Sequence, residues 1–126
     1  MESRGGILVL HPSEVDLNRK WHIPGGLRDD INEPLIDTGR REVFEETGIN
    51  LAGYEARTIM HGEWTAVDHG IKIGIVAVFL HVVLLDRPKV ILSHEHDDYA
   101  WLTPNNHTTY DANLEVHKLV IQLLTS

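Results

Sequence analysis

Glu42, Glu45 and Glu46 stand three and four residues apart, the separations that bring side chains together on one face of a helix. At about 100° per residue, measured from Glu42, Glu45 falls near 300° and Glu46 near 40°, so the three acids share one sector. Ile36, Val43 and Phe44 fall on the opposite side and give the segment an apolar face. Three neighbouring like charges repel, so such a helix either bathes them in solvent or gives them a cation; charge pattern alone favours the solvated face. The sequence in front widens the choice. Gly25 and Gly26 let backbone approach a ligand closely, and Glu33 adds a further acid near the helix start. A hard divalent ion such as magnesium takes oxygen ligands and commonly bridges carboxylates to substrate phosphates. The combination points to phosphate chemistry.

Composition bounds what can hold these acids. The 126 residues make one domain, 1–126, large enough for a core, with 42% hydrophobic and 24% charged residues. The longest apolar stretch, 73–85, is broken by Gly74 and His81 and is too short to span a bilayer. No apolar segment of signal-peptide length follows the N-terminus, so a cytoplasmic location is expected. With no cysteine there are no disulfides, thiolate metal sites or thiol nucleophiles. A net charge of −8 argues against holding a nucleic-acid polymer by its phosphates, and with no spanning stretch no membrane partner is expected. A small anionic substrate would have to be met locally, by divalent ions and a few basic side chains.

In chain order, 7–10 reads as a strand, 11–20 as a polar loop and 21–23 as extended, with Pro24 steering Ile23 away from helix. Gly25 and Gly26 turn the chain, 27–32 is a loop, Pro34 suits the first helical position, and Gly48 suits the helix end. Beyond it, 54–61 reads as a strand, 62–70 as a turn or loop, 71–85 as a long buried strand, and 90–92 as a brief strand or edge. Residues 99–102 form a short aromatic stretch and 105–109 a loop. Residues 111–124 place Leu114, His117, Val120 or Ile121 and Leu124 at helical spacing, an amphipathic helix to cover the sheet. Mixed strands with two helices imply an α/β or α+β sandwich. Trp21 and Trp101, in strand-like segments, are expected in the core.

Glu33, seven residues, then Arg41-Glu42-Val43-Phe44-Glu45-Glu46-Thr47-Gly48-Ile49, led in by Trp21-His22-Ile23-Pro24-Gly25-Gly26, resembles a Nudix box. This is the signature of hydrolases acting on a nucleoside diphosphate linked to another group. A weaker similarity covers 95–103, the strand and loop before the family's last helix. The resemblance implies a Nudix-like mixed sheet flanked by helices. It also implies a metal-dependent hydrolase cleaving the diphosphate linkage of a nucleoside diphosphate derivative or nucleoside triphosphate, the alternative being a Nudix domain that binds nucleotide without cleaving it. Glu42, Glu45 and Glu46 would hold Mg2+ or Mn2+, Arg41 would steady a neighbouring carboxylate, and Glu33 would support them. Pro24, Gly25 and Gly26 would shape the turn beside the substrate. The general base would be a box glutamate or Glu95, and Trp64, in a polar loop, is the tryptophan placed to meet a nucleobase. His94 and His96 read as a metal pair or as two surface imidazoles; His22 and His61 read as substrate-facing or as ordinary core or surface residues.

The chain departs from the family pattern at two places. Six residues, not five, separate Gly26 from Glu33, and Asn32 is placed to absorb the insertion in a left-handed conformation. The strand that usually precedes the one at 7–10 has no room here. That leaves an open sheet edge or one covered by a partner chain in a homodimer. Loop sequences do not identify which nucleotide is the substrate.

Overall fold

A computed structural model of the chain describes residues 1–3, 5–13, 20–26, 28 and 30–125, with backbone only at 64, 66, 68, 73 and 75–77. Two strands, β1 (Glu2–Ser3) and β2 (Gly6–Pro12), precede helix α1 (Leu35–Thr47). Strands β3 (Arg57–Asp68), β4 (Ile71–His81) and β5 (His96–Leu102) follow, then a 3-10 turn at His107–Thr109 and helix α2 (Leu114–Leu124). One sheet has the order β1-β2-β5 and the other pairs β3 with β4, all antiparallel. The α+β sandwich implied by the element order is the architecture found.

Strand β2 explains the layering. Its run Ile7-Leu8-Val9-Leu10 is apolar without alternation because both faces are covered. Ile7 and Val9 join Leu102, Val116, Leu119 and Val120 of β5 and α2, while Leu8 and Leu10 join Val43 of α1 with Ile49, Leu51, Val82 and Leu84. Period-2 geometry thus sends alternate residues into two cores, one under each helix. Trp21 packs against the first core and Trp101 against the second.

The first strand is reduced to two residues, and they bear on the edge expected to stand open. Glu2 and Ser3 pair with Ile7 and Gly6, and Glu2 exchanges backbone bonds with residues 82 and 84 of the same chain (Glu2 N to Val82 O 2.9 Å; Leu84 N to Glu2 O 2.8 Å). This part of the β2 edge is therefore covered within the chain.

Helix α1 starts after Pro34, which stands just outside it with φ −58° and ψ 139° rather than in its first turn, and accepts from Thr38 N at 3.0 Å. It ends at Gly48, φ 74°, whose N–H donates to Phe44 O at 2.8 Å. Because a Cβ is disfavoured at that φ, Gly48→Ala should destabilise the protein by about 1 kcal/mol, measurable as a lowered midpoint in chemical unfolding. The helix is rotated from the expected orientation: Phe44 is 56% exposed, whereas Glu46 is 5% exposed. The cause is the segment after β4. Residues 90–92 form no strand; instead Ile91 N donates to Thr47 O (2.8 Å) and Ser93 N to Glu46 O (3.3 Å), satisfying carbonyls left open at the helix end and covering that side.

Other boundaries differ for identifiable reasons. Residues 62–68 are not loop but the second half of β3, paired with β4 as far as Asp68 opposite Ile71. His69 (φ 50°) and Gly70 (φ 78°) make the two-residue turn, both with the positive φ that matches hairpin twist. The outer end of this ribbon is not buried, since Val67 and Ile71 are 69% and 66% exposed. In α2 the covered residues are Val116, Leu119 and Val120, while Leu114 and Ile121 are exposed. The bond from Asn113 N to Trp21 O (3.1 Å) sets the phase of that helix. Asn32 is not left-handed: among the described residues His69 is the single non-glycine with positive φ. Asp30 shapes the loop instead, accepting from Asn32 N at 2.8 Å through Oδ1 and from Glu33 N at 2.9 Å through its carbonyl. Leu27 and Asp29 of that loop lie outside the described residues. Among the described residues no helix is long and apolar enough to cross a membrane.

Candidate metal and phosphate site

The segment that leads into the helix is clamped on both sides. His22 exchanges backbone bonds with Leu10 (2.7 and 3.0 Å), and Trp21 N donates to Asp111 O at 3.0 Å. Tyr110 meets the Trp21 ring edge-on at 5.0 Å. This anchoring delivers Pro24, Gly25 and Gly26 to the side of α1 that carries Glu42 and Glu46. Gly25 N donates to Glu46 Oε1 at 2.8 Å. At Gly26 an added Cβ would lie 2.3 Å from the Glu42 carboxyl carbon, so the carboxylate occupies the space that any other residue would fill. The glycine pair thus serves two different acids, one by a backbone bond and one by the absence of a side chain.

Arg41 organises the outer acids. Its Nε and Nη2 donate to the two oxygens of Glu33, both at 3.1 Å, and its Nη1 donates to Glu42 Oε1 at 2.9 Å and lies 3.4 Å from Glu45 Oε1. Thr38 Oγ1 donates to Glu33 Oε1 at 2.7 Å. A bidentate guanidinium–carboxylate pair fixes orientation as well as distance. Lysine has a single donor head and cannot span both oxygens. Arg41→Lys should therefore cost about 1–2 kcal/mol in unfolding experiments and loosen any function of Glu42 by roughly 10–100-fold, read as metal-dependent turnover.

Glu46 belongs to a second group. Burial pushes its carboxyl up to about 7, with Glu42, Glu95 and Glu45 adding to the rise and the Gly25 N–H opposing it. Glu46, Glu95 and His96 each offer a ligand atom within 4.8 Å of the others. His96 Nε2 lies 3.5 Å from Glu46 Oε2 and 3.2 Å from His22 Nε2. Burial, then His22, lowers the pKa of His96, against the pull of Glu95 and Asp97, which favours the neutral ring with a lone pair to offer. A group of mutually repelling carboxylates with a neutral imidazole, one acid held by burial toward its protonated form, suits a divalent cation, which restores the charged form and takes N and O ligands.

The three box acids have different partners. Glu42 and Glu45 face Arg41, while Glu46 turns inward to meet Glu95, the later-loop acid expected as one of two candidates for the base. Glu33, Arg41, Gly25 and Gly26 stand at the same helix. Trp64 lies in β3 opposite Ile75, not in a loop, and its side chain falls outside the described residues. His94 and His61 are exposed. His96 is buried, which excludes its reading as a surface imidazole, and the half-buried His22 lies 3.2 Å from it. No signal in the sequence marked this meeting, which is set by pairing: His22 bridges Leu10, and the bulge between His11 and Pro12 sets Pro12 opposite His96.

The family model described as NUDIX domain matches residues 1–124. The chain belongs to the Nudix family. A curated Nudix relative, the zebrafish (Danio rerio) protein named m7GpppN-mRNA hydrolase NUDT17, is 43% identical over 47 residues, 37% of this chain and 15% of that protein. The chain therefore spans a small part of that relative's length. Among solved structures, the Escherichia coli dihydroneopterin triphosphate pyrophosphohydrolase superposes with a TM-score of 0.74 at 17% identity, covering 96% of this chain and 86% of its own. The Caenorhabditis elegans Ap4A hydrolase binary complex gives 0.62 at 22% identity, covering 90% and 79%. At these identities the superpositions establish the Nudix fold alone.

Proposed function

We propose that this Nudix domain is a metal-dependent hydrolase of the diphosphate linkage in a nucleoside diphosphate derivative or nucleoside triphosphate. The observation that carries the reading is the pair of restraints on the box helix: Gly25 N on Glu46, and Arg41 bridging Glu33 and Glu42. Together they hold acids in fixed positions at the expense of repulsion and, for Glu46, burial, an arrangement that a solvated helix face has no need of. Glu42, Glu45 and Glu46 would bind Mg2+ or Mn2+, which when bound neutralises phosphate charge and supplies a nucleophilic water. Arg41, held by Glu33, orients Glu42 and Glu45, and Gly25 holds Glu46; Glu95, exposed beside Glu46, would accept a proton from water. Gly25 and Gly26 let the substrate approach.

The mRNA-cap and Ap4A hydrolase names support a nucleotide phosphoanhydride as substrate, the dihydroneopterin triphosphate pyrophosphohydrolase supports a triphosphate more generally, and a net charge of −8 supports a small molecule over a polymer. Incubation with nucleoside triphosphates, dinucleoside polyphosphates, capped dinucleotides and nucleotide sugars, each with Mg2+ or Mn2+ and with products weighed by mass spectrometry, should give cleavage between phosphates that stops on adding chelator. Nucleotide binding by calorimetry with no product from any class would replace this reading with a binding domain.

A further inference from the structure

We propose that the outer half of the β3–β4 ribbon is a self-association surface, where the β4 edges of two copies of this chain pair antiparallel about Gly74. Strands β3 and β4 pair from Arg57 opposite His81 to Asp68 opposite Ile71, and among the described residues they join no other strand. Past the end of β4 the chain exchanges backbone bonds with Glu2 at Val82 and Leu84. At 71–77 no such neighbour stands beside β4 among the described residues. A ribbon of two strands is only marginally stable in water unless a further strand or a packed face supports it.

The two edges of the ribbon differ. Strand β3 carries Arg57, Glu63 and Asp68 and a register shift between Thr58 and Met60, the charges and bulge that blunt an edge against pairing. Strand β4, IKIGIVAVFLH, has one formal charge, at Lys72, and no proline. A β-branched strand of low charge is the composition that pairs with another chain. Alternation adds an apolar face to this edge. Met60 and Phe79, opposite each other in the ribbon, pack on the first core, and positions 77, 75, 73 and 71 continue the same face outward to the exposed Ile71.

Two copies of this edge complement each other. With Gly74 on a two-fold axis, Ile73 of one copy stands opposite Ile75 of the other and Lys72 opposite Val76, so the apolar face runs across four strands. Glu63 is opposite Val76 in its own chain, so it falls in the same cross-strand row as Lys72 of the other copy, two strand spacings or about 10 Å away. Both side chains are exposed, long and opposite in charge. The two lysines stand four residues apart along the strands, about 14 Å, which exceeds the screening length at physiological salt. This row of opposite charge, repeated by the symmetry, selects a second copy over an unrelated strand. At Gly74 an added Cβ would meet nothing within 4 Å, so the place of the axis is open to another backbone. Pairing over 71–77 covers less than the roughly 800 Å2 per partner of a stable complex, so the dimer is reversible.

Sedimentation velocity on the full chain over a wide concentration range tests this. The sedimentation coefficient should rise from monomer to dimer. Ile73→Lys places a charge on the pairing edge and should abolish the rise, whereas Thr65→Lys, the same change on the β3 edge opposite Gly74, should leave it. Lys72→Glu and Glu63→Lys, at exposed positions, should each raise the dissociation constant on the order of 5-fold, and the double exchange should recover it. Circular dichroism establishes that each variant is folded; if Ile73→Lys is not, the charge exchange tests the same register. A monomer at every concentration would overturn the proposal and leave the edge to a different chain. A dimer lost in Thr65→Lys and kept in folded Ile73→Lys, or a double exchange that recovers nothing, would overturn it also.

Discussion

Glu46→Gln should lower metal-dependent hydrolysis on the order of 10³-fold, or about 4 kcal/mol of transition-state stabilisation, while leaving the metal-free fold intact or firmer. The substitution is close to isosteric, and the Gln oxygen can still accept the Gly25 N–H that now reaches Glu46 Oε1 at 2.8 Å. What disappears is the charge. A buried carboxyl displaced upward to about 7 from its ordinary 4.5 destabilises the fold once it is ionised. Between those two pH values the folded chain retains a proton that the unfolded chain has lost. Stability of the metal-free protein should therefore fall as pH rises through that window, by up to about 3 kcal/mol, and stay at the lower level above it. In Glu46→Gln this part of the slope should vanish. Saturating divalent cation should flatten it in the wild-type chain, because a bound ion favours the charged carboxylate. Urea unfolding at pH 5 and pH 8, with and without Mn2+, measures all three effects. An unchanged slope in the variant, or turnover within a few fold of wild type, would count against Glu46 as a metal-facing acid.

Gly26→Ala is the second large effect, and its neighbour provides the control. The added methyl would lie 2.3 Å from Glu42 Cδ and 2.5 and 2.6 Å from its oxygens, so the carboxylate must move. Arg41 holds that carboxylate at 2.9 Å, so movement breaks a charge-assisted bond as well as shifting a ligand. Since the clash is with the end of a side chain and not with backbone, global stability should change by about 1 kcal/mol or less, while metal-dependent turnover falls roughly 100-fold. At Gly25 a Cβ meets nothing within 4 Å, and alanine keeps the N–H given to Glu46. Gly25→Ala should keep metal affinity within about 5-fold of wild type, because neither carboxylate is displaced, while Gly26→Ala should lose more. Equal losses in the two variants would mean that the turn itself, and not the Glu42 position, controls activity.

Several features were legible in the residues alone because they depend on neighbours a few positions away. The helix over the box, its stop at Gly48, the buried strand at 7–10 and the amphipathic final helix all follow from local periodicity and from the conformational freedom of one glycine. The spacing of Glu42, Glu45 and Glu46 was equally local, since helix geometry fixes angles around an axis whatever surrounds it. How that axis is turned against the sheet is not local. The chain at 91–93, which donates to the carbonyls of Glu46 and Thr47, places Glu46 inside and leaves Phe44 out.

The meeting of His22 with His96, 74 residues apart, likewise required β2 between its neighbours and a bulge at its end. The extension of β3 to Asp68 has the same origin: a polar segment becomes strand when a facing strand supplies its hydrogen bonds. By itself the sequence determined which acids share a helix, where that helix stops and which family pattern they follow. Only the tertiary structure decided that one acid is buried, that His96 stands beside it and which carboxylates Arg41 reaches. Burial and donor-atom distances arise from segments remote in sequence, and no helical or strand period encodes them.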